Sequence, residues 1–86
     1  MSVQQPKLVE RANGTKFWYL NGERHRTDGP AVEYADGTKE WYLNGKNHRT
    51  DGPAIERSDG TKIWYLNGEQ VDQLVFWVTT KEREMA

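Results

Sequence analysis

Short alternations of apolar and polar residues run along this chain, separated at regular intervals by Asn-Gly and Asp-Gly pairs. Lys16 to Leu20, Lys39 to Leu43 and Lys62 to Leu66 each read Lys-x-Trp-Tyr-Leu and lead directly into Asn-Gly. Trp18, Trp41 and Trp64 recur at a constant interval of 23 residues. A fixed period of this size marks one supersecondary unit copied along the chain, each copy burying its apolar face on its neighbours. Complete units run from Asn13 to Ala35 and from Asp36 to Ser58, and a third opens at Asp59 and departs after Val71. Upstream, Lys7 to Ala12 aligns with Pro30 to Ala35, so the array opens and closes on half-units.

Two hairpin signals fall in every unit. Asn-Gly at 21–22, 44–45 and 67–68 is the strongest short-range signal for a type I′ turn, because both central residues need positive φ. Asn13-Gly14, Asp36-Gly37 and Asp59-Gly60 form the second set. The segments between them are rich in Thr, Trp and Tyr, which suit strands. The pattern predicts an all-β repeat: a single antiparallel β-meander of about six strands over residues 7–71, behind a flexible segment 1–6. Asp28-Gly29-Pro30 and Asp51-Gly52-Pro53 fall in every second strand, where proline removes a donor and predicts a bulge or sharp bend.

Period-2 alternation puts Lys, Trp and Leu of each Lys-x-Trp-Tyr-Leu segment on one face, with Tyr and the variable residue on the other. That variable residue is Phe17, Glu40 or Ile63, and a place that accepts glutamate is not core. The reading therefore buries Trp18, Trp41, Trp64, Leu20, Leu43 and Leu66, with Val9, Val32 and Ile55 beside them. The turn residues disappear after Val71. Asp72 can cap a helix, although Val78-Thr79-Thr80 also suits a strand through 74–80. The last apolar face of an array needs a cover, which selects a short capping helix over 72–86 anchored by Leu74 and Trp77.

Composition narrows the function classes. Hydrophobic residues make up 35 % and charged residues 29 %, with four Trp and four Tyr, which is too aromatic for disorder and too polar for a membrane protein. The net charge of −1 argues against general nucleic-acid binding. There are no cysteines, hence no disulfide or thiolate chemistry. Met1 to Pro6 lacks a basic stretch followed by an apolar one, so no secretory leader and a cytoplasmic location are expected. Ser58 aligns with Ala12 and Ala35, and no glycine-rich loop opens a helix, so neither a catalytic nucleophile nor a phosphate cradle is visible. No metal site is expected, because the two histidines lack ligand spacing. The expectation is a protein without enzymatic activity or cofactor.

The 23-residue, glycine-punctuated unit with aromatic-x-Asn-Gly resembles the MORN repeat, whose copies are successive β-hairpins in an elongated twisted sheet. The form Trp-Tyr-Leu-Asn-Gly-x-x-His-Arg-Thr-Asp-Gly-Pro-Ala is closest to the MORN-like repeats of small bacteriophage and giant-virus proteins. The resemblance covers Lys7 to about Gly68. His-Arg-Thr-Asp-Gly-Pro-Ala departs from it, standing where MORN repeats carry a small Gly-x-Gly stretch. The resemblance implies a scaffold for protein–protein contacts and dimerisation, with membrane-lipid binding also proposed for the family. For a phage protein it implies a host protein as partner, inhibited in a defence or regulatory complex.

Two surfaces are candidates for binding. His25-Arg26-x-Asp28 and His48-Arg49-x-Asp51 could line a polar groove for an anion or an acidic partner. Alternatively they hold the repeat together, with Asp bonded to its own turn and Arg paired with Asp, Glu33 or Glu56. Phe17, Tyr19, Tyr34, Tyr42, Ile63 and Tyr65 would share the face opposite the tryptophans, either presented to a partner or covered by the chain itself. Three readings follow. One is a protein-binding module presenting the aromatic and His/Arg surface. Another is a homo-oligomer that buries Tyr19 and Tyr42, with open edges near 7–12 and 61–66 as routes to a dimer. The third is an anionic-ligand or lipid binder using the His/Arg edge.

Overall fold

Asn-Gly turns the chain as its chemistry requires. Asn21, Asn44 and Asn67 have φ of 53°, 52° and 51°, and the glycines that follow have 79°, 79° and 83°. Both central residues are thus left-handed, as in a type I′ hairpin. The structure, a computed structural model, describes residues 5–85 with side chains through Lys81. Residues 1–4 of the expected flexible segment lie outside the described residues. The strands are β1 (Lys7–Glu10), β2 (Lys16–Leu20), β3 (Glu23–Arg24), β4 (Val32–Glu33), β5 (Lys39–Glu40), β6 (Tyr42–Leu43), β7 (Lys46–Asn47), β8 (Ile55–Glu56), β9 (Lys62–Leu66) and β10 (Glu69–Val71). One helix, α1 (Gln73–Met85), follows.

All pairings are antiparallel, in the order β1-β2-β4-β5-β8-β9-β10, with β3 also on β2 and the β6–β7 hairpin alongside. Backbone bonds carry that hairpin into its neighbours: Arg26 N–H donates to Tyr42 O at 3.2 Å and Gly68 N–H to Asn47 O at 2.8 Å. The meander is therefore present, but as ten short strands instead of about six. The Asp-Gly-Pro segments separate β3 from β4 and β7 from β8, where the bend was expected, and Trp41 divides β5 from β6. The outer strands are β1 and β10; β10 closes the expected 61–66 edge at 64–66, while among the described residues 62–63 pair with β8 alone.

The second set of turns differs from the first, and the difference turns side chains over. Arg11 N–H donates to Thr15 O at 2.8 Å, Gly14 N–H to Arg11 O at 3.0 Å, and Thr15 N–H to Asn13 Oδ1 at 3.0 Å. Asp36 and Asp59 repeat this arrangement with Thr38 and Thr61 at 2.8 and 2.9 Å. Only the glycine has positive φ, and the loop between paired residues holds three residues where a type I′ turn holds two. A two-residue loop would set Val32 opposite Trp41. The extra residue sets it opposite Glu40, and likewise Val9 opposite Phe17 and Ile55 opposite Ile63. A one-residue shift flips a strand's faces. Val9, Val32 and Ile55 therefore share a face with Phe17 and not with the tryptophans, which corrects the expected core.

The sheet is a single layer, with overall dimensions of 42 × 40 × 17 Å. Its buried residues are few and mostly small: Ala31, Val32 and Ala54 at 0 % exposure, Thr15 at 5 %. The three repeated tryptophans are half-buried and do not form a closed core. Helix α1 forms as expected. Asp72 caps it, its Oδ1 accepting from the N–H groups of Leu74 at 2.7 Å and Val75 at 3.3 Å. Its anchors are different ones. Phe76 is buried at 5 % and lies 6.4 Å from Trp64, and Thr80 is buried with its hydroxyl donating to Phe76 O at 2.9 Å. Leu74 and Trp77 point outward at 70 % and 58 % exposure. The helix meets β9 along a narrow line, and the facing residue at that line is Phe76. Among the described residues no helix is long and apolar enough to cross a membrane.

Candidate functional site

The sheet separates the candidate residues onto two faces of different chemistry. Residues directly opposite one another on antiparallel strands share a face. Leu8 and Ala31 therefore lie with Trp18, and a row of alternating charge crosses that face: Glu10, Lys16, Glu33, Lys39, Glu56 and Lys62. Each cation in the row has an acid opposite it, and like charges never face each other. Sequence reading missed this row, although the Val-Glu and Lys-x-Trp pairs that build it recur in every unit.

On this face the arginines fold back over the tryptophans. The Arg26 guanidinium lies 4.0 Å from the Trp18 ring centre and that of Arg49 lies 3.9 Å from Trp41, stacking distances at which cation–π attraction is strong. Arg26 Nε donates to Asp28 Oδ1 at 3.0 Å, and its Nη1 to Pro30 O at 3.1 Å and Glu33 Oε2 at 3.4 Å. Arg49 repeats this with Asp51, Pro53 O and Glu56 at 2.8, 3.0 and 2.8 Å. Gly29 and Gly52 lie against the guanidiniums of Arg26 and Arg49. A Cβ at Gly52 would come within 2.9 Å of Arg49 Cζ, so a side chain there would have to displace that guanidinium.

The histidines perform a related task one unit further on. His25 Nδ1 accepts the Asn44 N–H at 3.0 Å, and His48 Nδ1 accepts the Asn67 N–H at 2.9 Å. Each ring thus secures the Asn-Gly turn of the next unit through an unprotonated nitrogen. Trp41, His48, Arg26 and Arg49 meet in a groove of about 560 Å³ between the two Arg-Thr-Asp loops. Its arginines are engaged by carboxylates and carbonyls of their own loops. The geometry is that of clamps that hold the sheet.

The opposite face carries Phe17, Tyr19, Tyr34, Tyr42 and, further along, Tyr65 opposite Gln70. Phe17 lies 6.0 Å from Tyr19 in a stacked arrangement and 6.4 Å from Tyr34 edge-on. Arg24, which was not singled out in the sequence, sits 5.3 Å from both the Phe17 and Tyr42 rings, and Arg11 lies 5.6 Å from Phe17. Arg24 Nη1 donates to the Tyr42 hydroxyl at 3.3 Å, which in turn donates to Glu40 Oε1 at 3.0 Å. Burial, and then the neighbouring Glu40 carboxylate, push the Tyr42 phenol above its ordinary range. Burial works against the charge on Arg24, but hydrogen bonds to Tyr19 and Tyr42 outweigh it and hold the guanidinium protonated. The counterparts of Phe17 and Arg24 one unit on are Glu40 and Asn47, so this cluster, which spans the first and second units, is not repeated further along.

The two candidate surfaces therefore lie back to back: aromatic side chains with Arg11 and Arg24 on one face, the His/Arg clamps on the other, so a single partner surface cannot take in both. Alternation along β2 and β3 enforces the separation, since Trp18 and Phe17 must point opposite ways. No family model, curated protein or solved structure matches this chain.

Proposed function

We propose that this chain is a non-enzymatic protein-binding module built on a MORN-like array. The observation that carries the reading is the outer side of α1. Leu74, Val75, Trp77 and Val78 are 70, 53, 58 and 45 % exposed and lie within a turn of one another. A contiguous apolar patch containing a tryptophan is unfavourable in water and is typical of a surface that a protein partner covers. The polar clusters that could suggest chemistry, by contrast, are occupied in holding the sheet. The resemblance to phage repeat proteins makes a bacterial host protein the partner to seek.

The test combines light scattering with capture from a bacterial lysate, using the wild-type chain and Trp77→Ser. A monomer that retains one protein in fixed ratio, and loses it on Trp77→Ser, supports the module. A second reading, homo-oligomerisation, is favoured by the open edge at β1, where Leu8 and Val9 are 46 % and 40 % exposed. A stable dimer that captures nothing would replace the first reading with the second.

A further inference from the structure

Beyond the helix, the Phe17 face has a charge excess that the sheet does not balance. Strand register and ring contacts place Lys7, Arg11 and Arg24 on it, and Arg57 takes the place that Tyr34 holds one unit earlier. Among strand residues the acid on this face is Glu40, already bonded to Tyr42. Asp59, in the turn after Arg57, partly offsets that arginine, which also helps hold its carboxyl below the usual range after the hydrogen bonds from Thr61. Asp36 lies near Arg57 beside Tyr34 and Glu40, so the excess is concentrated at Lys7, Arg11 and Arg24. The other face alternates acid and base across the whole sheet. Cations thus outnumber acids on the Phe17 face alone, in a chain whose net charge is −1.

We infer that the Phe17 face docks an acidic segment of a partner protein, its carboxylates meeting Arg11, Arg24 and Lys7. Arginine forks recognise carboxylates with two parallel hydrogen bonds, and tyrosine with arginine is the composition of interface hot spots. A nucleic acid fits less well. Single strands bind such sheets by stacking bases on open aromatic rings, but Arg11 and Arg24 already flank Phe17 at 5.6 and 5.3 Å, and Arg24 also covers Tyr42. The guanidiniums lie where bases would stack. The inference rests on the protein-binding reading and adds to it a second surface, on the side of the sheet away from α1.

The probe is a fluorescein-labelled oligoglutamate peptide, with oligolysine, an oligothymidine and anionic vesicles as comparisons, followed by anisotropy at low and high salt. Binding of oligoglutamate that weakens with salt and falls about tenfold or more in Arg11→Glu/Arg24→Gln, but not in the other-face control Lys39→Gln, is the expected result. Arg11 and Lys7 are exposed, so Arg11→Glu/Lys7→Glu gives a folded reversal if the first variant is unstable. Tighter binding of oligothymidine or vesicles than of oligoglutamate overturns the inference, as does oligoglutamate binding insensitive to both variants. A captured protein that survives the Arg11 and Arg24 changes but is lost on Trp77→Ser defeats this inference alone. Failure to capture any protein defeats the module reading beneath it.

Discussion

Trp41 and Trp64 stand one unit apart in equivalent strands and are covered by different chemistry. Trp41 is covered by Arg49 of its own unit, stacked at 3.9 Å and gripped by Asp51, Pro53 O and Glu56. At the corresponding place after Trp64 the chain has Asp72, which caps a helix instead, and Phe76 arrives at 6.4 Å to fill the slot. A cation held by acids and an apolar ring held by a helix therefore do the same job. The tryptophan requires a cover, while the neighbouring residues decide which kind.

The largest way to break the comparison is Phe76→Ala. Removing a buried phenylalanine costs about 3–5 kcal/mol, and here it removes the main anchor of α1. Loss of helical circular dichroism with the sheet retained is expected; a helix that persists would show that another contact anchors it. Next comes Gly52→Ala, which forces Arg49 off the indole because the new Cβ would sit 2.9 Å from its Cζ. A loss of about 1–3 kcal/mol in urea denaturation is expected, and none would mean that the guanidinium can move freely. Arg49→Met sharpens the comparison by installing an apolar cover in a charged slot. It should cost about 1 kcal/mol less than Arg49→Ala, because both variants leave Asp51 and Glu56 without their cation while truncation also leaves the ring bare. The smallest effect concerns the turns. Hydrogen bonds from Thr38 hold the Asp36 carboxyl below the usual range. A depressed carboxylate adds stability above its unfolded pKa and loses it as pH falls through the folded one. Thermal melts should therefore show a slightly shallower acid-side decline in Asp36→Asn, and identical profiles would contradict the assignment.

How much of this was legible in the sequence depended on which turn was being read. The Asn-Gly pairs that follow Trp-Tyr-Leu formed the expected two-residue hairpins at Asn21, Asn44 and Asn67, but Asn13-Gly14, with the same two letters, formed a three-residue loop. Neither Asn-Gly nor Asp-Gly by itself selects a loop of two or three residues, and that ambiguity at Asn13-Gly14, Asp36-Gly37 and Asp59-Gly60 moved Val9, Val32 and Ile55 to the wrong face. The capping helix was visible from the loss of turn residues and from Asp72, but its anchor was not: Leu74, Phe76 and Trp77 are all apolar, and only the line of contact with Trp64 selects Phe76. The fold puts the candidate aromatic residues on one face and the His/Arg pairs on the other. The clamps were one of two readings open for the His/Arg pairs; the cationic side of the aromatic face was hidden, because Arg24 varies between units and so looks unimportant by the same comparison that made Arg26 conspicuous.

The histidine contacts carry a consequence for how such a chain can change length. His25 reaches forward to the Asn44 amide and His48 to the Asn67 amide. The middle unit thus receives an acceptor from the unit before it and hands one to the unit after it. A duplicated stretch from Asp36 to Ser58 would arrive with both halves of that exchange, so copy number could grow in whole steps without any new joint having to be invented. The end of the line is set elsewhere, by the single aspartate that starts the helix.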